Sequence, residues 1–293
     1  MRVTVTEGHD HLAEPLVRSL LAGGHEVVRL TRGADGTQGR LTNRPWDPES
    51  GRISGPGLDD VDAVVNLNAA SPTRRWTAAV REEVRGSRIT STLTVVSALD
   101  PEGRCQRLLN LSSTSFYGNA GSEPVTADSP AGRGWLAQSV AAWEGAARHS
   151  PVPTALLRTP PVLAPSGGYL AHRSGALAGR LGSGRQYVPW IHIADWIAAV
   201  DLLLGSRVEG PVNIVAPEPI TEATFVAERA RARGRRPARG VPDWALDLRF
   251  GKEAADELWR SSTRALPQVL GELGFTHRFA TLADALSDLN TRT

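Results

Sequence analysis

Two hydrophobic periods alternate along this chain. Val3-Thr4-Val5-Thr6 reads as a short strand and Glu26-Val27-Val28-Arg29-Leu30 as a second. Between them Leu12, Leu16, Leu20 and Leu21 share one helical face, which predicts an amphipathic helix over residues 12–23. Strand, tight turn, helix and strand make the opening βαβ unit of a dinucleotide-binding fold. Residues 62–67, 107–113 and 154–158 are further strand segments, and residues 77–99 and 132–149 are helical. The polar, glycine-rich residues 33–57 read mostly as loop around one short strand. The alternation predicts an α/β chain with a Rossmann-like, doubly wound parallel sheet over residues 1–162. Ligands of such sheets sit beyond the carboxyl ends of the strands. Residues 7–11, 66–71, 112–117 and 158–161, with Arg32, should therefore converge on one crevice.

The periodicity breaks after Val162. Residues 163–293 mix short strands, helices and proline turns, and read as a substrate-binding cap region interleaved with the first domain. Helices are expected over 194–204, with Asp195 near its start, and over 221–232, capped by Thr221 with Phe225 facing inward. Residues 241–289 read as a small, mostly helical cap over the crevice.

Composition narrows the function classes. No apolar run is long enough to span a bilayer, and no leader pattern precedes the first strand. Cys105 is the only cysteine, which excludes an internal disulfide and fits a reducing cytoplasm. The formal charge of +2 accompanies a pI near 9.1. Basic residues are almost all arginine, Lys252 being the only lysine, and such a bias beside many alanines and glycines reflects a GC-rich genome. The dense run over 229–239 has no interleaved aromatics, so nucleic acid is not an expected partner. The expected partner is a small-molecule substrate, with a homodimer left open.

Four motifs carry a resemblance to a known family: Arg74-Arg75-Trp76-Thr77 with Ser87-Arg88, the Ser112–Gly118 run, Trp143-Glu144, and GSGRQYVPWIHIAD over 182–195. Gly210-Pro211-Val212-Asn213, Arg236-Pro237 and Gly274-Phe275 extend it towards the end of the chain. Together they resemble the epimerase-like, atypical extended short-chain dehydrogenase/reductases. The resemblance implies a Rossmann-like fold and an NADP site whose turn is similar to Thr-Gly-Gly-Thr-Gly-Phe-Ile-Gly.

This chain departs from that turn. Glu7, Asp10 and Ala13 stand where three of its glycines belong, and only Gly8 survives. Those glycines make the tight turn, let backbone N–H groups approach the pyrophosphate, and let helix and strand pack closely. Glu7 and Asp10 add negative charge instead. Two unit charges about 4 Å apart at an effective dielectric near 20 repel by roughly 4 kcal/mol. Offsetting groups exist: His9 and His11 could donate to phosphate, and Arg32 stands where the family holds the ribose 2′-phosphate. If a cofactor binds, Gly8, His9, His11 and Arg32 are the residues expected to hold it. The His9-x-His11 pair has no evident third ligand, so no metal site is expected.

The superfamily's proton relay is missing too. Its Tyr-x-x-x-Lys pair has no counterpart, since the three tyrosines are followed four positions later by Gly121, Arg173 and Ile191. Counting back from Glu144, Leu136 and Val140 hold the tyrosine and lysine positions. Ser113 falls at the superfamily's catalytic Ser/Thr, four residues before Tyr117. Ser113, Tyr117 and His192 are therefore the catalytic candidates. Arg75, Trp76, Arg88, Thr114, Ser115, Arg185, Gln186 and Trp190 are expected to line the substrate side. Each has a plainer alternative in capping, packing or surface solvation.

Three functions follow. The first is non-redox chemistry on a small organic molecule (isomerisation, dehydration or cyclisation) with NADP binding weakened or lost. The second is an NADP-dependent oxidoreductase or epimerase. The third is a non-catalytic binding or scaffold protein. Fold alone does not choose among them.

Overall fold

The computed structural model describes residues 1–8 and 10–291, with the side chains of all of these except Asp10 and Thr291. Seven parallel strands form the core sheet: β1 (Arg2–Thr6), β2 (Glu26–Thr31), β3 (Leu41–Asp47), β4 (Ala63–Asn66), β5 (Leu108–Ser113), β6 (Thr154–Thr159) and β7 (Gly210–Asn213). Their spatial order is β7-β6-β5-β4-β1-β2-β3. Val3 is registered against Val27 on one side and Ala63 on the other. The strand order reverses between β1 and β4, so the crevice opens above that pair.

Both sheet faces are covered, which explains the continuous apolar runs. Val3, Val5, Val27, Ala63 and Val65 pack with Leu12, Leu16 and Leu20 of α1 (Asp10–Ala22) and with Trp196, Ala199 and Val200 of α4 (Ile193–Leu204). Val28, Leu30, Val64 and Leu108 point to the other face and meet Val95 and Val96 of α2 (Ala78–Ser97). A further helix, α3 (Trp135–Ala147), lies beside α2. Full burial of a leucine such as Leu16 or Leu20 contributes roughly 1.5–3 kcal/mol. No helix of the described residues is long and apolar enough to cross a membrane.

Residues 33–57 hold more structure than their polarity suggests. Leu41–Asp47 pairs in parallel with β2, and Gly36–Gln38 and Arg52–Ile53 flank it antiparallel. This strand lies near the sheet edge, where polar residues are tolerated. Only Arg44 and Trp46 of it are buried, Arg44 bonding both carboxylate oxygens of Asp60 at 2.9 and 2.7 Å.

The second half of the chain returns to the core, because α4 and β7 belong to the sheet layers. The cap over the crevice is smaller than 241–289. It is built from Asp243–Phe250, Lys252–Ala255 and a wide π-turn at Asp256–Arg260, packed around Leu181, Leu246, Phe250 and Trp259. Residues 264–291 leave it: Arg264–Ala265 pairs with Pro124–Val125, Gln268–Glu272 lies against β7, and Leu282–Thr291 packs on Glu222–Ala232.

Cys105 is buried, and loss of hydration pushes its thiol up to about 11. It should not react with a chromogenic disulfide at pH 8 until the protein is unfolded in guanidinium. Rapid labelling of the native protein would contradict its placement.

Candidate functional site

Backbone ends from β1, β4, β5 and β6 meet as the topology requires. Thr6 Oγ1 accepts from the Leu67 N–H at 2.7 Å and bonds Asn66 Oδ1 at 3.0 Å, tying β1 to β4. Asn66 Nδ2 donates to Asn110 Oδ1 on β5 at 2.7 Å, and Trp143 Nε1 donates to Thr92 Oγ1 at 2.9 Å. This buried polar ladder fixes the crevice floor.

Above the floor lies a chamber of about 240 Å³. His11, Arg88, Ser112, Ser113, Ser115 and His172 supply its polar wall, and Leu12, Trp143, Tyr169 and Trp259 its apolar one. A second chamber of about 190 Å³ adjoins it, sharing Ser115, Pro161, Tyr169, Leu258 and Trp259. Thr114, Arg133, Tyr187 and Glu257 also line this second space. Ser113 caps the short turn Thr114–Tyr117, its Oγ accepting from the Ser115 N–H at 3.1 Å. Of the sequence candidates, Arg88, Ser113, Thr114, Ser115 and His11 are thus brought together.

Others are not. Tyr117 is buried beneath the crevice, not in it. Its hydroxyl accepts from Arg158 Nη1 at 2.8 Å and lies 2.5 Å from Asn213 Oδ1 and 2.8 Å from the Thr126 carbonyl. Burial raises its pKa, so it holds its proton and does not serve as a base. Arg158 also makes a two-pronged pair with the buried Glu144, at 2.8 and 3.0 Å, and Glu144 accepts from Ser112 Oγ at 2.6 Å. Glu144 is therefore a buried carboxylate closed into a core ion pair.

His192 caps α4, its Nδ1 accepting from the Ala194 N–H at 3.1 Å, and its Nε2 lies 3.3 Å from Asp288. It stacks on Phe279 and lines a separate, open cavity on the far side of His11 and His172. Asp195 accepts from the N–H groups of Arg278 and Phe279, so the helix start is capped by His192 instead. Gln186 is buried with its Nε2 on the Leu181 and Trp259 carbonyls, and Trp190 is a core residue bonded to the Glu218 carbonyl. Trp76 packs on Trp135, Arg75 holds the Leu248 carbonyl, and Arg185 is exposed. None of these five lines either chamber. His172, Tyr169, Trp259 and Glu257 were not legible as site residues. They come from the cap region; the Gly167-Gly168 pair that turns the chain into Gly168–His172 is a signal for Tyr169 and His172 alone.

Glu257 links cap and core. Its two carboxylate oxygens accept from the Trp135 and Leu136 N–H groups at 3.0 and 2.8 Å, closing the start of α3. Gly134 is obligatory there, because a Cβ would strike that carboxylate and its φ is 108°. In α3 itself, Leu136 and Val140 are buried apolar residues.

At the phosphate turn, Glu7 folds back on the sheet. Its Oε2 accepts the Arg32 N–H at 2.9 Å, just beyond β2. Arg32 is exposed, and Gly8 is retained for a packing reason: a Cβ there would collide with the Leu67 carbonyl. Neither lines the chambers. Arg29 is paired with Glu14 at 3.0 Å. His9 lies outside the described residues.

Comparison with known proteins agrees with this geometry. Residues 11–141 match the NAD dependent epimerase/dehydratase family, and residues 241–289 match a domain of unknown function, DUF1731. An epimerase family protein of Mycobacterium bovis is 37% identical over 290 residues, covering 96% of this chain and 95% of that protein. The human epimerase family protein SDR39U1 is 32% identical, covering 99% of both. This chain belongs to the SDR39U1-like epimerase family. Its members are extended short-chain dehydrogenase/reductases. A crystal structure of human SDR39U1 (isoform 2) with NADPH superposes with a TM-score of 0.88 and 29% identity, covering 100% of both chains. MoeE5 in complex with UDP-glucuronic acid and NAD shares the fold, with a TM-score of 0.76 and 22% identity over 100% of this chain and 99% of that one.

Proposed function

We propose that this epimerase family protein is an enzyme that uses the crevice for non-redox chemistry on a small organic molecule, with dinucleotide binding weakened. Isomerisation, dehydration and cyclisation are the reaction classes in view. The observation that carries the reading is the Glu7 carboxylate on the Arg32 N–H, at the end of the strand where an adenosine ribose is held in this fold. Asp10 is the first residue of α1, so a second acidic residue stands at the helix start that usually faces the diphosphate. The residues present thus do not fit a dinucleotide diphosphate well.

The rest of the crevice supports the same reading. Leu136 and Val140 replace the hydride-transfer relay, and Tyr117 is engaged below the floor. Among the described residues, two imidazoles, one guanidinium and the side chains of four serines and two threonines line the chamber. Imidazole exchanges protons near neutral pH, and hydroxyls orient a small substrate by hydrogen bonds. Leu258 and Trp259 of the cap, with Tyr169, give the chamber an apolar side. A cytoplasmic site of action and a small-molecule partner go with this proposal.

A second reading, NADP-dependent oxidoreductase, is favoured by one specific observation: human SDR39U1 was crystallised with NADPH. Calorimetric titration of the full chain with NADPH separates the two. The proposal expects a Kd weaker than about 100 µM. Submicromolar binding, with NADPH oxidised on addition of a carbonyl substrate, would establish the second reading instead.

A further inference from the structure

Arg88 lies in the middle of α2 with its guanidinium at the chamber wall. It is 6% exposed, yet no carboxylate of the described residues pairs with it. Its Nη1 donates to the Val84 carbonyl of its own helix at 2.6 Å, its head rests over the Trp143 ring, and its Nε meets no acceptor. Of the other buried arginines, Arg44, Arg158 and Arg173 have carboxylate partners, while Arg107 and Arg229 donate to backbone carbonyls but line neither chamber. Buried charges are retained when something pairs with them. Burial lowers the Arg88 pKa to about 10, which leaves it cationic at neutral pH.

Among the described residues the chamber it faces is lined by no carboxylate, and its other titratable side chains of basic type are His11 and His172. The adjoining chamber, by contrast, carries Asp256 and Glu257. We propose that Arg88 is the anchor for an anionic group of the substrate, a carboxylate or a phosphoryl group, seated between the guanidinium and the Ser113 and Ser115 hydroxyls. This rests on the reading of the chamber as a substrate site. The apolar wall of Trp143, Tyr169 and Trp259 then takes the body of the molecule, and the anion fixes its orientation.

The test is calorimetric titration of the full chain with two probes, benzoate and phenyl phosphate, which separate the two anionic sources. Arg88→Gln should weaken the preferred probe by about ten- to hundredfold, the value of a charge-assisted hydrogen-bonded contact. Arg88→Lys should restore part of it. Because Arg88 is interior, Ser115→Glu is the control that keeps it in place: the hydroxyl of Ser115 has no bonded partner among the described residues, and a carboxylate there should also weaken the anion at least about tenfold. Circular dichroism confirms that both variants fold. Retained binding of both probes in both folded variants overturns the proposal, as does the absence of saturable binding to the unaltered chain. NADPH is titrated into the same proteins. Tight NADPH binding lost in Arg88→Gln assigns the arginine to the nucleotide and also overturns the proposal. Tight NADPH binding unchanged in Arg88→Gln defeats the weakened-cofactor reading alone, while loss of the anion in the same variant still supports the anchor.

Discussion

Arg158→Met is expected to lower the unfolding free energy by about 3–5 kcal/mol, because it strands the Glu144 carboxylate in the interior. Both side chains are 2% exposed. Without Arg158, Glu144 keeps the Ser112 hydroxyl and a distant Arg148 at 3.8 Å, too little to balance a buried charge. Tyr117 and the Ala127 carbonyl lose their donor at the same time. The midpoint of guanidinium unfolding should fall with little change in its slope. The paired replacement Glu144→Leu with Arg158→Met should recover most of the loss, since two apolar groups leave no orphaned charge. A loss below about 1 kcal/mol in the single variant would mean that the pair is not closed as described.

The second large effect concerns cofactor affinity. Restoring Glu7→Gly, Asp10→Gly and Ala13→Gly together should tighten NADPH binding by about ten- to hundredfold. The gain has two sources. Removing two acidic residues relieves repulsion of the diphosphate, an effect discounted here because Glu7 is exposed to screening solvent. Loss of the Glu7 side chain also frees the Arg32 N–H for a ribose or phosphate oxygen. Arg32→Ala in the restored background should then reduce NADPH binding more than NADH binding, as the 2′-phosphate partner is lost.

Much of the fold was legible because its sheet is buried on both faces. Strands such as 63–66 and 154–159 read as apolar runs, and Leu12, Leu16 and Leu20 mark the helix that covers them. Within residues 33–57 the sequence predicts only one short strand, and its extent over Leu41–Asp47 was not legible, because a position near the sheet edge tolerates Asn43 and Pro45, which carry no strand signal. The site was legible only in part. Ser113 and Ser115 follow from the end of β5, and Arg88 from the Ser87-Arg88 motif in the middle of α2. Tyr117, Gln186 and Trp190 look equally available in sequence, but their polar atoms are engaged by Arg158, Trp259 and Glu218, residues 28 to 73 positions away. Such engagement depends on tertiary contacts that no local spacing encodes. The same holds for Glu257, which reaches α3 across 121 residues.

The proposed weakening of dinucleotide binding at the altered phosphate turn, with the substrate chamber kept, has a direct test. Native mass spectrometry of the full chain mixed with equimolar, micromolar NADPH addresses it directly, with the glycine-restored variant alongside. The account predicts a nucleotide adduct on the restored protein and none on the natural one. An equal adduct on both, or nucleotide retained by the natural chain through purification, would contradict it.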